Sequence, residues 1–345
     1  MKRIICFSLF FMFSLCLVPN SLIFGIRLAF AEEPVIIKLA TLAPEGSTWT
    51  NKLRDIDKEL REKSEGRLRL KIYAGGVQGD ERDVVRKMRI GQTHCAGFTG
   101  VGLGEILPAV RIFDVPFFLN NYKEVDFIRN KFQDWFIEEF DKKGYVFLGW
   151  TEIGFIYFYS NIKITTLDDL RSTKMWMWEG DPLAKALFDA IKLSPISLSI
   201  TDVITSLQTG LIDSIYVSPL GVIALQWFRK VKYVLDVPMA DATGAILLTK
   251  KKYNTIPPDL QTLLKDVFRV HCAELIEIIR KDNEASVKVL EDSGIIVTSM
   301  TDESVKELKA TGETVRKSVI GKLYTAELLQ DVTAAIDKFR KSVSN

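Results

Sequence analysis

Side chains capable of nucleophilic, acid–base or metal chemistry are few in this 345-residue chain, and their spacing suits none of these uses. It has two histidines, His94 and His271, each followed directly by a cysteine, Cys95 or Cys272. Neighbouring side chains on a strand leave opposite faces, so His94 and Cys95 are not placed to share a metal or to work as base and nucleophile. Asp168, Asp169 and Asp202 stand where helices begin, a position that carboxylates favour for capping. The loop GGVQGDE, Gly75 to Glu81, could offer backbone amides to an anion at a helix start. It lacks the phosphate-loop spacing and lysine, and reads as a turn. No nucleophile-elbow serine, HExxH or dinucleotide fingerprint occurs. We therefore expect no enzyme, no metal site and no cofactor.

Recognition chemistry is better represented. In KMWMWEGDP, Lys174 to Pro182, the two-residue strand period sends Met175 and Met177 to one face and Trp176 and Trp178 to the other. Glu179 and Gly180 then turn, Asp181 is placed to cap a helix and Pro182 suits its first position. Ligands of open α/β sheets bind at such strand-to-helix junctions, so we expect both tryptophans to be exposed at a binding mouth. The competing reading makes them ordinary core residues.

Those residues need a scaffold. A hydrophobic fraction of 47% over this length suits a large core and two domains rather than one. The first 31 residues carry Lys2 and Arg3, an apolar run and the small-residue site Ala29-Phe30-Ala31, which reads as a cleaved secretory signal, the alternative being a retained amino-terminal membrane anchor. Cleavage there removes Lys2, Arg3 and Arg27 and no acid, so 46 basic residues become 43 against 44 acidic, and the formal charge moves from +2 to −1. A near-neutral chain carries no electrostatic signature for nucleic acid. Cys95 and Cys272 remain, and an oxidising compartment would permit them to pair.

Alternation and helical spacing give strands from Pro34, Leu68 and His94, helices over 48–64, 81–90 and 122–142, then strands over 145–150 and 155–159. A unit recurs: VVRKMRIGQTHCAGF from Val84 aligns without gaps with VITSLQTGLIDSIYV from Val203, each a helix, a glycine stop and a buried strand. One copy in each half of the chain implies two similarly built α/β lobes. From Pro257 to Ser293 no glycine or proline interrupts a helical pattern, giving a helix roughly 55 Å long. It must bridge the lobes or kink.

Several stretches taken together resemble the DctP-type solute-binding proteins of tripartite ATP-independent periplasmic (TRAP) transporters. They are LAPEGSTW at 42–49, the GGVQGDE loop, MRIGQ at 88–92, VPFF at 115–118, LDDLRSTK at 167–174 and SLQTGLIDS at 206–214. The resemblance implies an α/β, two-lobed periplasmic-binding-protein fold with crossing strands and a long bridging helix, closing on a solute that passes to membrane permease subunits driven by an ion gradient. The expected lobes are residues 32–152 with 237–273, and 153–236 with 274–345. The resemblance also implies a carboxylate-clamping arginine two residues after Lys174, a second near position 156 and an asparagine near 217. This chain has Trp176, Ile156 and Val217 there. Lys163, Lys174, Arg171 or Arg111 would have to supply a relocated cation.

We accordingly expect a periplasmic receptor for an apolar or aromatic ligand, with a cleft lined by Trp176, Trp178, Ile156, Tyr216, Val217, Trp49, Phe155, Trp150 and Ile200. Alternatives are an organic-acid receptor using a relocated cation and a ligand sensor that transports nothing. The protein is expected to be a monomer or a homodimer.

Overall fold

Residues 33–343 are described by the computed structural model, so the expected signal segment lies outside them. In chain order the strands are β1 (Val35–Thr41), β2 (Leu68–Tyr73), β3 (Cys95–Thr99), β4 (Tyr145–Phe155), β5 (Tyr157–Ser160), β6 (Trp176–Trp178), β7 (Ile196–Leu198), β8 (Ser214–Val217), β9 (Tyr233–Leu235), β10 (Asp241–Thr249) and β11 (Ile296–Thr298). They form a first sheet of order β2-β1-β3-β10-β4 and a second of order β11-β9-β5-β8. The parallel pair β6-β7 joins the second through a bridge between Met175 and Ser214.

Both copies of the repeated unit fold alike. Helix Glu81–Arg89 stops at Gly91, φ +78°, and feeds β3, while helix Val203–Thr209 stops at Gly210, φ +72°, and feeds β8. Only glycine takes that left-handed turn without steric cost. One copy serves each sheet, which defines the two-lobed α/β architecture.

Three segments pass between the sheets. Strand β4 runs on into β5 through Ile156, and the chain returns from β9 to β10 beside it, with Ile156 and the 239–240 backbone exchanging hydrogen bonds of 2.9 Å. The third is helix Pro258–Asp292, whose 35 residues span roughly 52 Å. Leu264 and Phe268 near its start pack under the first sheet, and Leu290 near its end packs under the second. Helix Ala326–Val343 returns to the helix Tyr122–Lys142, where Arg340 binds the Glu124 carboxylate at 2.7 Å. The proposed second-lobe segment 274–345 therefore includes a helix docked on the first-lobe side.

Both expected strands are present, but β4 runs on to Phe155, five residues past its expected end, before β5 begins at Tyr157. Strand β4 pairs along its length with β10, and the register shifts twice, skipping Leu148 and Ile153. Each such bulge inserts one unpaired residue and reverses which side chains face which side. Val146 and Leu148 point toward the long helix, but Trp150 joins Tyr145 on the opposite face.

Candidate ligand-binding cavity

Between the two sheets lies a cavity of about 230 Å³. The first-sheet side contributes Trp49 from helix Thr48–Lys63, Phe98 and Thr99 at the end of β3, Arg111 from the short helix Pro108–Ile112, and Asp114 just beyond it. The second side contributes Trp176 and Trp178 of β6, Leu183 and Phe188 of helix Pro182–Ala190, Ile200, and Tyr216 and Val217 of β8. The crossing strands add Thr151, Ile153, Ile156 and the 239–242 segment.

The Lys174 to Pro182 stretch folds as its residues dictate: Asp181 caps the helix by accepting the Leu183 N–H at 2.9 Å, and Pro182 opens it. Its tryptophans are not exposed, however. Trp176 is 1% accessible and Trp178 7%. Trp176 stacks on Tyr216 with centroids 5.0 Å apart, meets Trp227 edge-on at 5.5 Å, and donates its indole N–H to the Leu198 carbonyl. The strand delivers both rings to the cavity wall, yet neighbouring aromatics enclose them because β7 and β8 flank β6. Ring packing is what the alternation pattern cannot show.

Of the nine expected site residues, the cavity gathers Trp49, Ile156, Trp176, Trp178, Ile200, Tyr216 and Val217. Trp150 and Phe155 lie elsewhere. Trp150 packs against Phe147 and Phe113, with ring centroids 4.8 and 5.5 Å away, and Phe155 lies 5.0 Å from the ring of Tyr122. The bulges in β4 turn Thr151 and Ile153 to the cavity in their place.

Five carboxyl or guanidinium side chains line the cavity among the described residues: Arg111, Glu81, Asp114, Asp181 and Asp241. Arg111, 6% exposed, lies 2.9 Å from Asp114 and 3.0 Å from Asp181, so its charge is already matched twice. Burial alone would lower its pKa, but the two aspartates raise it overall and hold it cationic. Burial pushes Asp114 up to about 6, with Arg111 opposing. Burial pushes Glu81 up to about 7, against three donors from Thr99 N–H, Thr99 Oγ1 and Gly102 N–H, each at 2.7 Å. Asp241 is raised by burial and then by Glu152, which shares Arg129 with it. Of the other cations considered, Lys163 is exposed, Lys174 reaches the Gly210 carbonyl, and Arg171 pairs with Asp168 and Glu307.

The acidic lining escaped the sequence reading. Arg111 and Asp114 stand three apart, a spacing that favours ion pairing on a helical turn, and this was the one available signal. Asp181 was legible only as a cap, since its second oxygen meets Arg111 through tertiary contact.

Two α/β lobes joined by crossing strands and a bridging helix, with a mostly apolar cavity between them, define a two-lobed binding-protein architecture. The family model for bacterial extracellular solute-binding proteins, family 7 (DctP), matches residues 39–322, and the chain belongs to that family of TRAP solute-binding proteins. It is 20% identical over 312 residues to a solute-binding protein of Sulfitobacter sp. strain NAS-14.1, covering 89% of this chain and 93% of that one. The 2,3-diketo-L-gulonate-binding periplasmic protein of Escherichia coli K12 is 21% identical over 249 residues, covering 70% and 74%. The fold superimposes with a TM-score of 0.83, at 18% identity, on the sugar acid binding protein of Advenella mimigardefordensis in complex with galactonate, covering 89% of this chain and 99% of that one. The family comprises binding proteins, not enzymes.

Proposed function

We propose that this protein captures a small neutral or largely apolar solute, aromatic ligands included, outside the cytoplasm and delivers it to TRAP permease subunits in the membrane. The carrying observation is convergence: Trp176, Ile156 and Val217, standing where the family resemblance implies two arginines and an asparagine, all line one cavity. A carboxylate placed there would lose its hydration without gaining a free cation, a cost of several kcal/mol. An apolar ring gains on the same surface, and pockets of this kind fix their ligand with few polar groups. Periplasmic residence through a cleaved signal is part of the proposal; among the described residues no helix is long and apolar enough to cross a membrane.

A second reading is favoured by one observation, that two of the three similar proteins above are named for sugar acids. An acid could bind here by displacing Asp114 from Arg111, the more readily where Asp114 is protonated. Isothermal titration against dicarboxylates, sugar acids, aromatic acids and neutral apolar compounds separates the readings. We expect the neutral apolar and aromatic compounds to bind tightest. Tight binding of a sugar acid or small dicarboxylate, lost in Arg111→Ala, would establish the second reading instead.

A further inference from the structure

At the rim of the cavity, one carboxylate of the first lobe collects donors from the second. Asp80 precedes helix Glu81–Arg89, and its own N–H is held by Asp83 Oδ2 at 3.2 Å. Its side chain accepts the Trp178 indole N–H at 3.0 Å, the Ser199 hydroxyl at 2.9 Å and the Ile200 N–H at 3.2 Å. The three donors lie 98 to 120 residues further along the chain, on β6 and on the turn after β7. Asp80 is 8% exposed and Trp178 7%, so the bond between them is shielded from water, while those from Ser199 and Ile200 are partly buried. Packing along the seam is close: a methyl group on Gly180 would collide with Arg82, and one on Gly76 would meet the Thr201 side chain at 3.4 Å. The Arg111 to Asp181 ion pair crosses from the first lobe to the helix that follows β6, at a separate point of the cavity lining.

We propose that Asp80 is an interlobe latch, a positioning residue that holds Trp178 and the Ser199–Ile200 turn against the first lobe and so sets both lobe closure and the pose of the aromatic wall. A carboxylate that gathers several donors at a mostly buried site makes strong, directional bonds. All three donors arrive from across the cleft, so opening must break them together. Trp178 is then a cavity residue whose indole nitrogen is committed to closure, leaving its ring alone for a ligand.

The latch is tested without any ligand, so its failure is separate from a failure of the ligand-class reading. On the purified protein, small-angle scattering gives the radius of gyration, and hydrogen–deuterium exchange reads the Ile200 amide. Asp80→Ala should enlarge the radius and speed Ile200 exchange at least tenfold while the circular dichroism spectrum is kept. Asp80→Glu should restore part of both. An unchanged radius with faster Ile200 exchange would overturn the latch, reducing Asp80 to a local turn cap; no change in either would overturn it as well. Should Asp80→Ala fail to fold, the pair Trp178→Phe with Ser199→Ala removes two donors and leaves Asp80 in place. That double variant should open the lobes in the same sense, and a wild-type radius would reject the proposal.

Discussion

At the scale of single residues, burial rather than position decides what a substitution does. Trp176 is among the largest fully buried side chains, enclosed by Tyr216 and Trp227. Trp176→Ala should therefore destabilise the empty protein by about 3 to 5 kcal/mol, the usual cost of emptying a large aromatic site, read as a lower urea midpoint. A loss under about 1 kcal/mol would mean that the ring is a ligand surface rather than core. Glu81 yields a pH signature instead. Its carboxyl, ordinarily near 4.5, is pushed by burial to about 7, so the folded state holds a proton that the unfolded chain releases. This contribution is fully present below pH 4.5 and is lost as pH rises through about 7, at up to about 3 kcal/mol. Denaturant titrations at pH 5 and pH 8 should show wild type losing stability across that interval relative to Glu81→Gln. Parallel curves would show that Glu81 stays ionised throughout.

Among the elements, what repeats regularly was legible and what depends on a partner was not. The helix over 122–142, the strand 35–41 and the capped turn at Asp181-Pro182 stand as their periodicity and caps predict. Strand β10 reaches back to Asp241 because β4 offers it partners that far, Asp241 pairing with Phe155. The two bulges in β4 are invisible in its own residues, and they explain why Thr151 and Ile153, not Trp150 and Phe155, reach the cavity. Half the cavity's chemistry was hidden for the same reason, since buried acids such as Asp241 meet their cations only through folding. Gly154, at the second bulge, has φ +99°, and a methyl group there would strike the Asn283 amide. That amide donates to the carbonyls of Ile153 and Ile279 at 3.0 Å, tying the long helix to the crossing strand. Gly154→Ala adds a strained backbone to a steric clash and should cost about 2 to 4 kcal/mol, seen as a lower melting temperature. An unshifted transition would show that the helix can yield at Asn283.

For the whole molecule, the connections between the sheets determine how it can move. The long helix runs unbroken past both, so bending must concentrate where β4 passes into β5 and β9 returns to β10. At that crossing Glu152 and Asp241, both 0% exposed, share Arg129, and Arg280 binds Glu152 at 2.7 Å and Asp126 at 2.6 Å. Paired charges buried this deeply are costly to separate, so the crossing should act as a pivot that keeps its contacts while the lobes part at the far rim. There the lobes meet through the Asp80 bonds, which rejoin water on opening. A ligand that fills the cavity gains contact with both lobes only in the closed form, and it shifts the population by that differential affinity. Adding the tightest-binding compound of the titration panel at saturation should therefore reduce the radius of gyration and slow exchange at the Ile200 amide. Exchange at the Glu152 and Asp241 strands should stay unchanged. Were the pivot strands to respond instead, or the radius to remain constant at saturation, the lobes would not be closing on the ligand and solute would be entering a preformed cavity.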